Sequence, residues 1–142
     1  MVANLIAWNH NDRTKGRPVG YRDLTAALGP AQFPRPYSHS FRYRQSLVSA
    51  LQTAMPGHGG RLPRNDWTKD MAFLVTAGPR SSTGYHLRIV SVTDRGDDIL
   101  VRVREQTPTL RNRVTPGITY PHRLIVFPQT SKPVHVRWDG RP

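Results

Sequence analysis

The side chains able to do chemistry are few and scattered. The six histidines are His10, His39, His58, His86, His122 and His135, and none forms the His-Glu-x-x-His pair that grips a metal from one helical face. Glu105 is the one glutamate and the aspartates fall mostly in turns, which leaves few candidates for paired-carboxylate acid–base work. Ser81 and Ser82 lack the Gly-x-Ser-x-Gly elbow of a nucleophilic serine. Gly78 and Gly84 bracket five residues with no lysine after them, so the stretch is not a phosphate loop. With no cysteine there is no thiolate nucleophile, zinc–thiolate site or disulfide. The pattern implies no enzyme, no cofactor and no metal site, but a protein that works by contact.

Two groups of residues could make such a contact. The first is Arg80, Ser81, Ser82, Thr83, Gly84 and Tyr85, a polar stretch between the apolar run Met71–Ala77 and a segment in which Tyr85, Leu87 and Ile89 alternate with His86 and Arg88. Alternation marks a strand with one buried face. Gly78-Pro79 is turn punctuation, and Gly84 is expected to supply the positive φ of the return. This predicts strand, rigid loop, strand, with a tip at Arg80–Thr83 that loses little entropy on docking. The second group is Arg88, Arg102 and Arg104. A hairpin turn at residues 93–98 joins the strand at 85–92 to Ile99–Glu105, and parity predicts an odd loop with a bulge at Gly96. One face of the hairpin then gathers His86, Arg88, Arg102 and Arg104. Like charges opposed across strands cost stability, which suits an acidic partner.

The elements that must position these groups are short. The chain has 142 residues, 13 of them proline and 11 glycine, and 37% hydrophobic residues. That composition favours short strands and many turns over a helical bundle. Ser46–Met55 is the exception: apolar residues at 47, 48, 51, 54 and 55 predict an amphipathic helix capped by Ser46 and ended by Pro56-Gly57. Apolar spacing at 21, 24, 27 and 28 predicts a short helix closed by Gly29-Pro30. Pro30, Pro34 and Pro36 make residues 29–37 an extended linker. Further strands are expected at Leu5–Trp8, Phe41–Arg44, Leu124–Phe127 and Val134–Trp138, with a long loop at 108–121 of the length that often carries function. The fold class that follows is mainly β, a small antiparallel sandwich or partly open barrel. One helix at about 46–55 packs on it, with a short N-terminal helix at about 21–28. Residues 1–37 form a basic arm and proline-rich linker, and residues 38–142 form the β domain.

The net charge is +12, and it avoids the centre of the chain: residues 1–44 carry +5 and residues 100–142 carry +6, while residues 67–99 balance. Such a protein associates with polyanions at low salt, so nucleic-acid binding through the basic ends is the alternative function from a different class. No apolar run approaches the length of a membrane span. Met1–Asn9 has no basic n-region and too short an apolar run for a signal peptide. As written the sequence reads as cytoplasmic, or extracytoplasmic if a leader has been removed.

The stretch from about Asn65 to Pro128 resembles the C-terminal domain of PrcB. The matching pieces are Asp66-Trp67-Thr68-Lys69-Asp70-Met71, the loop from Gly78 to Tyr85, the Thr107-Pro108 strand end, and Thr119-Tyr120-Pro121-His122-Arg123-Leu124. The family loop commonly has a glycine pair before the tyrosine, where this chain has Thr83-Gly84. The resemblance implies a bacterial, non-catalytic accessory module that binds and stabilises a surface protease complex. Ser82-Thr83-Gly84-Tyr85 is also similar to the Thr-Thr-Gly loop of chagasin-type cysteine-protease inhibitors, which implies inhibition as a further reading.

Overall fold

The structure, a computed structural model, describes residues 16–55, 62–111 and 113–140. The expected strand at Leu5–Trp8 lies outside them. Ten strands are present among the described residues: β1 Arg17–Pro18, β2 Arg22–Asp23, β3 Pro36–Phe41, β4 Asp70–Ala77, β5 Arg80–Ser82, β6 His86–Asp94, β7 Ile99–Gln106, β8 Pro116–Thr119, β9 His122–Pro128 and β10 Val134–Asp139. The two described helices are α1 Thr25–Leu28 and α2 Arg44–Ala54. One four-stranded sheet runs β1-β6-β7-β10 and a second runs β2-β9-β4-β3, with β5 and β8 forming a two-stranded ribbon. The result is mainly β, as expected, and it is an open sandwich.

Three layers follow from where the apolar side chains go. Met71, Phe73, Val75, Ile125 and Phe127 of the second sheet meet Leu87, Ile89, Val92, Ile99, Val101 and Val103 of the first. On its other face, Ala72, Leu74, Leu124 and Val126 meet Leu47, Leu51 and Ala54 of α2, together with Leu28 and Phe33. The second sheet is therefore buried on both sides. This is the physical reason Met71–Val75 reads as a continuous apolar run instead of an alternating one. It also divides β9. Leu124 and Val126 are buried, but they face α2, while Ile125 and Phe127 fill the space between the sheets.

Several sequence expectations are corrected by pairing. The segment at 21–28 is helical only over Thr25–Leu28, because Arg22 and Asp23 pair with Val126 and Ile125 as β2. Asp23 Oδ1 accepts from Thr25 N at 2.9 Å, and Thr25 Oγ1 accepts from Leu124 N at 2.9 Å, so this corner is stitched to β9. The proline-rich stretch is no free linker: Ala31 and Phe33 are buried, and Thr76 Oγ1 donates to the Arg35 carbonyl at 2.6 Å. Its strand runs over Pro36–Phe41, earlier than the expected Phe41–Arg44. Helix α2 begins at Arg44, with Tyr43 at the cap position and no side-chain cap bond, so Ser46 sits inside the first turn. Its buried residues are those the spacing predicts. Strand β10 runs parallel to β7, a departure from an all-antiparallel sandwich.

The β6–β7 hairpin has a four-residue loop, with Asp94 opposite Ile99 and Arg95 N bonded to the Asp98 carbonyl at 2.9 Å. The register shift lies between Ile89 and Ser91, mid-strand at Val90, and not at Gly96. Gly96 serves the turn, with φ 95°.

Candidate functional site

The structure splits the candidate contact residues into two places. Arg80–Ser82 is strand β5, paired with β8 out of the expected long loop: Arg80 lies opposite Thr119 and Ser82 opposite Pro116. Thr119 Oγ1 donates to the Ser82 carbonyl at 2.8 Å, Thr115 N donates to Thr83 Oγ1 at 2.9 Å, and Thr83 N donates to the Thr115 carbonyl at 3.1 Å. Ser82 is 7% exposed, and its Oγ accepts from Gly84 N at 3.2 Å. The expected free tip is thus one strand of a ribbon. Only Ser81 and Thr83 of residues 80–83 stand fully at the surface.

Arg80 points inward. Its Nε and Nη2 donate to the two Glu105 carboxylate oxygens at 2.7 and 3.0 Å. Those bonds hold the guanidinium pKa above its ordinary value. Gly84 also differs from expectation. Its φ is not positive; the positive-φ glycine of this region is Gly78, at 80°. Gly84 is needed for close approach instead, since a Cβ there would lie 2.5 Å from both Pro108 Cβ and Val114 Cγ1.

The turn Thr83–Tyr85 stands between two open clefts. One, of about 460 Å³, is lined by Thr83, Gly84, His86, Gln106, Thr107, Thr109, Arg113 and Val114. The other, of about 290 Å³, is lined by Tyr85, Thr119, Tyr120, His122 and Arg123 among others. Val114 lines the first cleft, Ile118 lies in β8, and Leu110 follows the cleft residue Thr109 in sequence; their exposures are 37%, 71% and 107%. The other exposed large hydrophobics among the described residues are tyrosines. Sequence reasoning marked the 108–121 loop by its length but not these residues; the signal was a leucine, a valine and an isoleucine among threonines, prolines and arginines.

The second place is the outer face of the first sheet. Its register sets Arg88 directly opposite Arg104, and Arg102 beside Ser91 on one flank and Arg137 on the other. His86 lies opposite Gln106 at the end of this face. Asp139 is its acidic member: Arg102 Nη2 donates to it at 2.6 Å, and Arg104 Nη2 approaches to 3.9 Å. The hairpin end is fixed by two further pairs. Arg95 bonds both oxygens of Asp98, and Lys132 Nζ donates to both oxygens of Asp94 at 2.8 Å. These contacts hold both aspartates below their ordinary pKa, chiefly through the hydrogen bond from Arg95 in one case and from Lys132 in the other. The Arg95-Gly96-Asp97 tripeptide, an adhesion motif by spelling, is part of this pinned turn.

Arg123 joins the two sheets. Its Nε donates to the Leu87 carbonyl at 2.7 Å and its Nη1 to Asp23 Oδ2 at 3.3 Å. Neighbouring His122 has Nδ1 2.8 Å from the Tyr120 carbonyl, and its ring meets Phe33 edge-on at 5.0 Å. Among the described residues no three histidine, aspartate or glutamate side chains gather as a metal site. No described helix is long and apolar enough to cross a membrane.

Comparison with protein families gives one match, to the family described as PrcB C-terminal, over residues 71–128. No curated protein and no solved structure matches the chain. The matched stretch opens in β4 and closes with β9, so it contains the doubly buried centre of the second sheet, the whole β6–β7 hairpin and both strands of the ribbon. Over these six consecutive strands, less than half of the chain, the protein resembles the PrcB C-terminal domain.

Proposed function

We propose that this protein is a non-catalytic protein-binding module of the PrcB type, which stabilises or modulates a protease complex by docking through the ribbon end of its sandwich. The observation that carries this reading is the coincidence of the family match with the exposed aliphatic residues. Leu110, Val114 and Ile118 all fall within residues 71–128, and Val114 packs against the Thr83–Tyr85 turn at Gly84. Exposed apolar side chains next to a rigid polar turn suit a protein interface, in which a few buried anchors supply most of the binding energy.

Thr83, Gly84 and Tyr85 contribute shape here, since the turn is held by its bonds to Thr115 and separates the two clefts. Arg80 and Ser82 support the turn from beneath. The ribbon presents Ile118 at little conformational cost because both strands are already paired. Affinity capture with the intact chain, compared with a Leu110→Ser/Ile118→Ser variant, tests the reading. The expected result is a protease-containing assembly that co-purifies with the wild type and is lost with the variant. Equal capture by both would remove the ribbon end from the interface.

A further inference from the structure

The outer face of the β6–β7–β10 sheet has a composition the ribbon end does not explain. Three parallel rows cross it: Arg88, Arg104 and Asp139; Ser91, Arg102 and Arg137; and Thr93, Leu100 and His135. The intervening residues Ile89, Val92, Val101, Val103, Val136 and Trp138 all pack inward, which confirms that these rows point out. Arg88, Arg104 and Arg137 are exposed, and Arg88 and Arg137 have no acidic partner among the described residues. Both described helices pack with the other cluster, beyond the second sheet, and on this face Leu100 is buried while the arginines around it stay accessible. Two arginine pairs set directly opposite each other, Arg88 with Arg104 and Arg102 with Arg137, cost the free protein stability. Asp139 offsets that cost at Arg102 across a diagonal and, at longer range, at Arg104 opposite it.

We propose that this face docks an extended, acidic segment of a partner protein, with carboxylates at alternate positions seated on the arginine rows. Spacing supports it. Arg104 and Arg102 are two residues apart on one strand, so the rows repeat at about 6.8 Å, the interval between same-side residues of an extended chain. Guanidinium groups take carboxylates in paired hydrogen bonds, as Arg102 already takes Asp139. The rows hold no phenylalanine, tyrosine or tryptophan on which successive bases could stack, and their one ring, His135, lies in the outermost row. These features favour a carboxylate partner over a single-stranded nucleic acid. The surface is distinct from the ribbon end, so its test does not depend on the protease-complex reading.

The test measures binding of a labelled peptide of alternating glutamate and serine to the full chain by fluorescence anisotropy, at physiological salt. An oligothymidylate of equal charge is measured beside it. Arg88→Gln/Arg104→Gln/Arg137→Gln removes the face; Arg35→Gln/Arg64→Gln/Arg111→Gln removes the same charge elsewhere. The face variant should weaken peptide binding by about tenfold or more, the loss expected for several charge-assisted contacts, while the control changes it by less than about threefold. Its thermal midpoint should stay level or rise, because like-charge repulsion is relieved. The proposal is overturned if the peptide does not bind, if both variants lose affinity equally, or if the oligothymidylate binds the wild type as tightly as the peptide does.

Discussion

Arg80 and Glu105 are joined by two parallel hydrogen bonds of 2.7 and 3.0 Å, which tie the ribbon strand β5 to the end of β7. The side chains are 24% and 12% exposed, so the pair is partly withdrawn from water. Arg80→Ala removes both bonds and should cost about 1–3 kcal/mol, the range for hydrogen bonds to charged groups. Urea unfolding of Arg80→Ala, Glu105→Gln and the double variant would show a coupling energy. Additive single effects would mean that the pair does not fasten the ribbon.

Gly84 gives a steric prediction. A methyl group there would overlap Pro108 and Val114, both within 2.5 Å of the added carbon. Gly84→Ala should therefore destabilise by about 1–3 kcal/mol through overpacking and backbone displacement. At Gly96 an added Cβ meets nothing within 4 Å, and only the φ of 95° opposes it. Thermal melts of the two variants separate crowding from backbone strain. Val114→Ala, which removes the Cγ1 that the added methyl would strike, should partly rescue Gly84→Ala and leave Gly96→Ala unchanged.

Much of this fold is legible in the sequence, and the exceptions have physical causes. The apolar spacing of α2 and the alternation of β6 and β7 reflect one buried face each, which is what periodicity encodes. The continuous apolar run Met71–Val75 encodes two buried faces, so it does not say which residues face which layer. Leu124 and Val126 are buried core residues, yet only the fold shows that they face α2 and not the other sheet. The site was less legible. Arg80 reads as a free loop residue because Glu105 lies 25 residues away in sequence. Ser82 reads as a tip because β8 has a proline, a glycine and no alternation to announce a strand. The arginine face could be read, since cross-strand partners follow from parity; the bulge at Val90 could not, since nothing in Ile89-Val90-Ser91 marks it.

Phe73 is 1% exposed and lies in the middle of β4, between Ile125 on one side and Ser40 on the other. Phe73→Ala should cost about 3–5 kcal/mol, the transfer term plus a cavity between the sheets. A loss below about 1 kcal/mol in chemical denaturation would contradict a packed inter-sheet core at this position.

Acid should loosen the hairpin end. Asp94 and Asp98 have folded pKa values lowered by Lys132 and Arg95, so their contribution is complete above the unfolded carboxylate value. That value is about 3.9, and stability should be lost as pH falls below it and through the lowered folded values. His135 Nε2, 3.7 Å from Asp98, adds a further favourable charge when protonated. Thermal midpoints measured from neutral pH downward should fall for the wild type below about pH 4. Asp98→Asn should melt lower at neutral pH and show a shallower acid decline; an equal decline would place the acid sensitivity elsewhere.

The binding-module account is tested most directly by the lifetime of the protease assembly captured with this chain. The assembly should lose peptidase activity more slowly on mild heating with the wild-type protein present than without it. Leu110→Asp/Ile118→Asp, folded by circular dichroism, should neither bind nor protect, because a carboxylate replaces each apolar anchor. If the wild type leaves the inactivation rate unchanged, or the variant protects as well as the wild type, the ribbon end does not support the function assigned to it.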